Sequence, residues 1–342
     1  MKKILIVVSL LITFALVLTA CNGNTGSNSF GDDLDVPLNS SPDNTSPDSS
    51  PSSTPDNTNP GSSPSPKPEN PSTPDNTSSF DTSKNISILA REDGSGTKTA
   101  FMELIGLKGK ADPENVIIQT GTAGILTEVK GNPAAIAYES LGYVTSDVKM
   151  LKVDGVDATV ANIKSGTYKI SRPLSIVYKE STLSDEVNKA FYDFLQSSGA
   201  QEIIADEGYV STVDNAPAYT INGSLKGSID ISGSTSLQPL MTELAAEFES
   251  LQPNVTVTVG GGGSGTGYKN ADEGVSEFGM ISEEFNLEKA PSCTDYVVCK
   301  DGISVIVHKD NPLDDITMGQ LTNIYDVEAG SDAITKWNAL IK

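Results

Sequence analysis

The tetrapeptide Gly-Ser-Gly-Thr occurs twice in this sequence, each time after a short β-type run and before a helical pattern. The first copy is Arg91-Glu-Asp-Gly-Ser-Gly-Thr97, between the apolar run Ile86 to Leu89 and the helical stretch Thr99 to Ile105. The second is Gly260-Gly-Gly-Gly-Ser-Gly-Thr-Gly267, after Val255 to Val259. A third loop, Ser232-Gly-Ser-Thr-Ser-Leu237, follows Ser228 to Ile231 and offers the same geometry. Glycine lets backbone N–H groups converge, Ser and Thr add hydroxyl donors, and a helix N-terminus contributes about half a positive charge. Arg91 adds a guanidinium able to grip an oxyanion with two parallel hydrogen bonds. The chemistry expected is anion binding by hydrogen-bond donation.

Other chemistries fit poorly. Gly94-Ser-Gly-Thr-Lys98-Thr99 ends like a nucleotide P-loop, but that motif needs glycine immediately before the lysine, where Thr97 stands. Three cysteines and one histidine do not make a zinc or iron–sulfur cluster, so no metal and no cofactor is expected. His308 closes the apolar run Ile303 to Val307 without a matched serine or carboxylate motif, and reads as a strand-end residue. Cys293 and Cys299 lie six apart, which leaves a disulfide and two free thiols both open. With 23 basic against 45 acidic residues the net charge is −22, which argues against nucleic acid and anionic membrane surfaces as partners.

The elements that must carry these loops alternate in type. Short apolar runs such as Val116 to Ile118 and Leu174 to Tyr178 read as strands, interleaved with amphipathic helices. In Ser184 to Gly199, Val187, Ala190, Phe191, Phe194 and Leu195 form one apolar face, with Ser184 as N-cap and Gly199 near the stop. Leu237, Leu240, Met241, Leu244, Ala245 and Phe248 form a second. These stripes are core, and packing is the default for Trp337. The pattern predicts an α/β fold with helices covering both faces of the sheet.

The first 85 residues are read differently. Lys2 and Lys3, the apolar run Ile4 to Leu18 and the small residues before Cys21 have the layout of a secretory signal peptide, too short for a comfortable membrane span. Leu18-Thr19-Ala20-Cys21 resembles the lipobox of bacterial lipoproteins, which implies a signal over 1–20, lipidation at Cys21 and anchoring on the extracytoplasmic face of the cell membrane. Residues 21–85 are rich in Ser, Pro, Asp, Asn and Thr, hold 11 of the 19 prolines, and repeat Ser-Thr-Pro-Asp-Asn-Thr at 53–58 and 72–77. Such a segment buries too little apolar surface to offset its conformational entropy and reads as a disordered tether. About 257 residues remain, enough for two lobes.

Beyond residue 85 the chain resembles the phosphate-binding lipoproteins of bacterial phosphate ABC transporters. Arg91 to Thr97 with Ala100-Phe101, Gly131 to Tyr138 with Leu141 to Tyr143, and Ile163 to Tyr168 with Ser171 to Pro173 resemble that family's later half. Ser232 to Leu237, Gly262 to Gly267, Phe278 to Ser282 and Asp301 to Ile303 with Asn311-Pro312 resemble its earlier half. The resemblance implies a two-lobed, type II periplasmic-binding-protein-like fold in circularly permuted order. One lobe would combine 86–172 with 303–342, the other would run over 173–302, and two strands would cross near Pro173 and Ile303. Permutation requires Lys342 to lie near Asn85, while a fragment of two fused copies is the rival arrangement.

Carried over by position, the resemblance implies phosphate contacts from Arg91, Ser95, Gly96, Thr97, Thr235, Ser236, Ser264 and Ser282, with an ABC permease as partner. Asp93 would orient Arg91 or merely turn the chain before Gly94. Some family members have aspartate where this chain has Ser282. That carboxylate accepts the proton of hydrogen phosphate, and whether Glu283 replaces it is not readable from sequence. A general oxyanion binder, a cell-surface interaction domain without ligand, and a surface phosphohydrolase are the competing functions. The last lacks paired metal carboxylates and a serine–histidine constellation.

Overall fold

The computed structural model describes residues 80–341. The signal, Cys21, nearly all of the tether and Lys342 lie outside the described residues. The chain runs β1 (Ser87–Arg91), α1 (Gly96–Leu104), β2 (Ile117–Gln119), α2 (Gly121–Gly131), β3 (Ala135–Ser140), β4 (Val148–Met150), β5 (Lys152–Val153) and α3 (Val160–Lys164). It continues through β6 (Ser171–Tyr178), α4 (Glu186–Leu195), α5 (Ser198–Asp206), β7 (Val210–Ser211), β8 (Gly227–Gly233), α6 (Gln238–Leu251), β9 (Val255–Gly262) and α7 (Ser264–Glu273). It ends with β10 (Phe278–Ile281), β11 (Thr294–His308), β12 (Asp315–Ile316) and α8 (Met318–Tyr325).

Ten strands form one sheet, ordered β2-β1-β3-β11-β6-β10-β8-β9, with β4 and β7 added against β11. The pairs β1/β2, β1/β3, β8/β9 and β8/β10 are parallel, and β1, β2, β8 and β9 each feed an α-helix. The 15-residue β11 holds the two ends together, pairing antiparallel with β6 over its first part and with β3 over Ile303 to Val307. At the change of partner the Ile303 N–H donates to the Ile170 carbonyl at 2.8 Å.

Period-two alternation sorts the side chains. On β1 and β3, Ile88, Ala90, Ile136 and Tyr138 enter a core with Phe101 of α1 and Leu321 of α8. Leu89, Ala135 and Ala137 face the other way, onto Ile125 and Val129 of α2. A separate core joins Leu174 and Ile176 of β6, Ile229 and Ile231 of β8, and Phe278 and Met280 of β10 to α4, α5 and α6. Tyr268 and Ala271 of α7 cover the opposite face. All six residues of the predicted α6 stripe are buried, and so is Trp337, whose Nε1 donates to the Ala134 carbonyl at 3.1 Å.

Two local expectations need correction. The helix expected over Ser184 to Gly199 is two helices: Asp185, not Ser184, caps α4 by accepting from the Val187 and Asn188 N–H groups. Ser197 then caps α5, so Gly199 lies inside a helix and not at a stop. A hydroxyl that accepts from a helix N–H three residues on starts a new helix more readily than it continues an old one. The folded part also begins before residue 86. Phe80 packs edge-on to Trp337 at 5.7 Å, and Asn85 bridges Lys336 in antiparallel fashion. Cys293 and Cys299 are both free thiols and both buried.

Glycine is required where α7 rests on the sheet. A Cβ on Gly279 of β10 would stand 2.0 Å from the Gly267 carbonyl oxygen, and one on Gly267 would stand 2.3 Å from the Met280 carbonyl oxygen. Helix and strand meet backbone to backbone, which is why the second glycine loop continues into the helix. Gly279→Ala is expected to lower the unfolding free energy by about 1–3 kcal/mol, the usual cost of overpacking. Urea denaturation with an unchanged midpoint would contradict this contact.

Candidate functional site

Each loop singled out by its chemistry sits at the carboxyl end of a parallel strand, where the following helix begins. Arg91 ends β1, and Ser95 caps α1, its Oγ accepting from the Lys98 N–H, so Gly96 and Thr97 form the first helical turn. Thr235 and Ser236 lie between β8 and α6, where the Ser234 hydroxyl accepts from the Ser236 and Leu237 N–H groups. Ser264 opens α7 after β9, and Ser282 follows β10. The first N–H groups of each helix have no partner within it, so three donor-rich N-termini point toward one place.

All eight expected residues come together. Arg91 Nη2 donates to Thr235 Oγ1 at 2.9 Å, and the Thr97 and Ser236 hydroxyls lie 2.9 Å apart. The Ser282 N–H donates to Ser264 Oγ at 3.0 Å, with the two hydroxyls 3.3 Å apart. The Gly265 N–H donates to the Gly94 carbonyl at 3.0 Å, which clasps α7 to the arginine loop. Except for the half-buried Thr235, the members are buried. Residues from the β1 side and from the β8–β10 side therefore meet in a polar cluster shielded from solvent.

Arg91 is the cluster's cation, 1% exposed. Its Nε and Nη2 donate to the two oxygens of Glu92 at 2.9 and 3.0 Å. Its Nη1 donates to Thr122 Oγ1 at 3.2 Å and to Glu139 Oε2 at 3.4 Å. Asp93 does not orient it. That side chain is exposed and pairs with Lys98 at 2.8 Å, because the turn into α1 carries it outward. Burial opposes ionisation of Glu92, but the hydrogen bond and charge of Arg91 outweigh it and hold this carboxyl below the usual range. The N–H of Gly121, at the start of α2, donates to Glu92 at 3.1 Å and adds to that effect. For Glu139, wholly buried, desolvation dominates and pushes the carboxyl above its ordinary value despite Arg91.

Glu283, the carboxylate next to Ser282, is paired with a lysine. Its Oε1 accepts from Lys289 Nζ at 2.6 Å, and it lines a cavity of about 760 Å³ between α1 and the Glu283 to Lys289 segment. Of the eight, only Ser95 also lines that cavity, so it lies beside the polar cluster and not within it. Arg172 was not expected at the site. It pairs with Asp301 at 3.0 Å, both buried, and its Nη1 donates to the Ser282 carbonyl at 2.9 Å.

Sequence reasoning therefore missed Glu92, Thr122, Glu139 and Arg172. One signal was available: the chain has two arginines in all, and both are buried here. A buried guanidinium needs acceptors, and Glu139 breaks an apolar run that otherwise reads as core strand.

A Cβ on Gly96 would stand 2.2 Å from Ser264 Oγ and 2.8 Å from Ser282 Oγ, both across the cluster. Gly96→Ala is expected to hold the two sides apart while costing less than about 1 kcal/mol in unfolding free energy, because the clash lies between the sides and not within either core. Small-angle X-ray scattering should give a larger radius of gyration than for the wild type. An equal radius would contradict the contact.

Comparison with known proteins places the chain. The profile of the PBP superfamily domain matches residues 76–198 and 218–342. Phosphate-binding protein PstS 2 of Streptococcus agalactiae serotype V is 37% identical over 276 residues, covering 78% of this chain and 92% of the relative. Phosphate-binding protein PstS 2 of Streptococcus pneumoniae serotype 4 is 33% identical over 265 residues, covering 75% of this chain and 88% of the relative. The crystal structure of a phosphate-binding protein of a phosphate ABC transporter from Streptococcus pneumoniae superposes with a TM-score of 0.61 at 32% identity, over 75% of this chain and 100% of that one. The α/β architecture with two cores, the donor-rich loops and these similarities agree, and the chain belongs to the PBP superfamily, among the PstS phosphate-binding proteins.

Proposed function

We propose that this protein is an extracytoplasmic solute-binding protein that captures inorganic phosphate between two lobes and delivers it to an ABC permease. The observation that carries this reading is the convergence of Arg91, Thr97, Thr235, Ser236, Ser264 and Ser282 in a cluster closed from solvent. Hydroxyls, helix N–H groups and one guanidinium supply donors all round a tetrahedral anion. Ser95 caps the helix that presents Gly96 and Thr97. On this reading the protein releases its ligand unchanged.

The lobes of this proposal are 86–172 with 303–342, and 173–302. The two large apolar cores support that division, with Val210 the one member of the first core drawn from the second range. The connections would be β6 near Pro173 and the continuous β11 near Ile303, and bending there would admit the ligand. The permuted order is supported by the bridge between Asn85 and Lys336 and by the Ile86 N–H, which donates to the Thr335 carbonyl at 2.8 Å. Lipidation at Cys21 would tether the domain to the membrane through residues 22–79.

Titration calorimetry with phosphate, and with sulfate as competitor, tests the reading. The expected result is tight phosphate binding that sulfate does not displace. Binding of both anions would make the site a general oxyanion binder, and heat from neither would leave an interaction domain. Arg91→Ala is expected to weaken phosphate binding by about 2–5 kcal/mol, at least about thirtyfold, the range for removing one partner of a buried charged contact. Thr97→Val, nearly isosteric, should weaken it by about 1 kcal/mol. Unchanged affinity in Arg91→Ala would remove the arginine from the site.

A further inference from the structure

The charges around Arg91 do not balance. Glu92 already satisfies the guanidinium through two short hydrogen bonds, so Arg91 and Glu92 form a neutral pair. Glu139 shares the same guanidinium only through Nη1, at 3.4 Å. Its Oε1 accepts from Thr122 Oγ1 at 3.2 Å and from the Ser140 N–H at 2.9 Å. The next cation, Arg172, is bound to Asp301 at 3.0 Å, a second neutral pair. Two arginines thus face three carboxylates, and Glu139 is the one in excess. An oxyanion seated beside Arg91 would bring one or two more negative charges into the same enclosed space.

We propose that Glu139 is a positioning residue that takes up a proton when an oxyanion binds beside Arg91. The neutral acid would hold Arg91 through Thr122 without competing with the ligand for its charge. This inference rests on the anion-binding function proposed above. The groups that face Glu139 are few. Arg91 comes from β1 and Thr122 from α2, and Arg172, with its partner Asp301, comes from β6 and β11. Tyr138 and Tyr143, beside it in sequence, feel its charge, and Ser304 stands opposite it on β11. Neither tyrosine nor Ser304 is a cation that could balance it. Burial already favours the protonated form, and an anion would favour it further.

The sign follows from linkage. A carboxyl whose pKa is raised by the bound anion binds a proton with it. Affinity is then greatest below the carboxyl's free-state pKa and is lost as pH rises through its bound-state pKa.

Titration calorimetry with inorganic phosphate, at about pH 7.5 in two buffers of different ionisation enthalpy, counts the protons exchanged on binding. The wild type is expected to take up more protons per phosphate than Glu139→Gln, by up to about one, and to lose affinity more steeply as pH rises. Equal proton counts and parallel pH profiles would overturn the proposal, since a purely structural role would change affinity and not proton number. Absence of heat from phosphate in the wild type would instead remove the function on which the proposal rests, and the proposal with it. Should Glu139→Gln fail to fold, infrared difference spectra of the wild type with and without phosphate decide the matter. A gain of protonated-carboxyl C=O absorption is expected, and its absence would overturn the assignment.

Discussion

A guanidinium buried to 1% exposure cannot stand alone, and meeting the needs of Arg91 shapes what surrounds it. Desolvating a charge costs several kcal/mol in protein, and the cost is offset only when the geometry of the partners is good. The partners come from four directions. Glu92 is the next residue, Thr122 opens α2, Glu139 ends β3, and Thr235 reaches over from the loop after β8. The first three make the arginine a fixed part of one side of the molecule. The fourth joins that side to the other. The cation proposed as the anion receptor is thereby also a fastener between two halves of the sheet.

The fold makes this meeting possible by directing parallel strands to one place. In parallel sheets the loops at the carboxyl ends lead into helices, so backbone donors gather there. β1 delivers the arginine loop, and β8, β9 and β10 deliver Thr235, Ser264 and Ser282. A continuous element then joins the halves, and β11 does so by pairing with β6 and then with β3 along one strand. Arg172 ties this junction to the site, holding Asp301 of β11 with one edge and the Ser282 carbonyl with Nη1. Movement at the junction would be felt at Ser282.

What was legible in the sequence followed from local rules. Glycine and hydroxyl runs between a strand and a helix predicted the three loops, and apolar periodicity predicted α6, because these signals lie within a few neighbouring residues. The chain's two arginines were equally visible, but their partners were not. Glu139 is 48 residues from Arg91, and Asp301 is 129 from Arg172. Pairs so distant are fixed by strand register, which a single sequence does not display. Asp93 left two readings open for a local reason. Adjacency made it as eligible as Glu92, and only the turn into α1 sends one carboxylate outward and the other to the arginine. The split between α4 and α5 turned on one side chain, Ser197, capping where a continuous apolar stripe suggested no break.

The central claim is that the hydroxyl loops and Arg91 together enclose one anion. A crystal structure of the protein grown with inorganic phosphate tests it most directly. The account predicts a single tetrahedral anion in contact with Arg91, Thr97, Thr235, Ser236, Ser264 and Ser282, with β11 still continuous between the halves. An anion held instead by Lys98 and Lys289 in the neighbouring cavity, with Arg91 still bound only to its carboxylates, would contradict it.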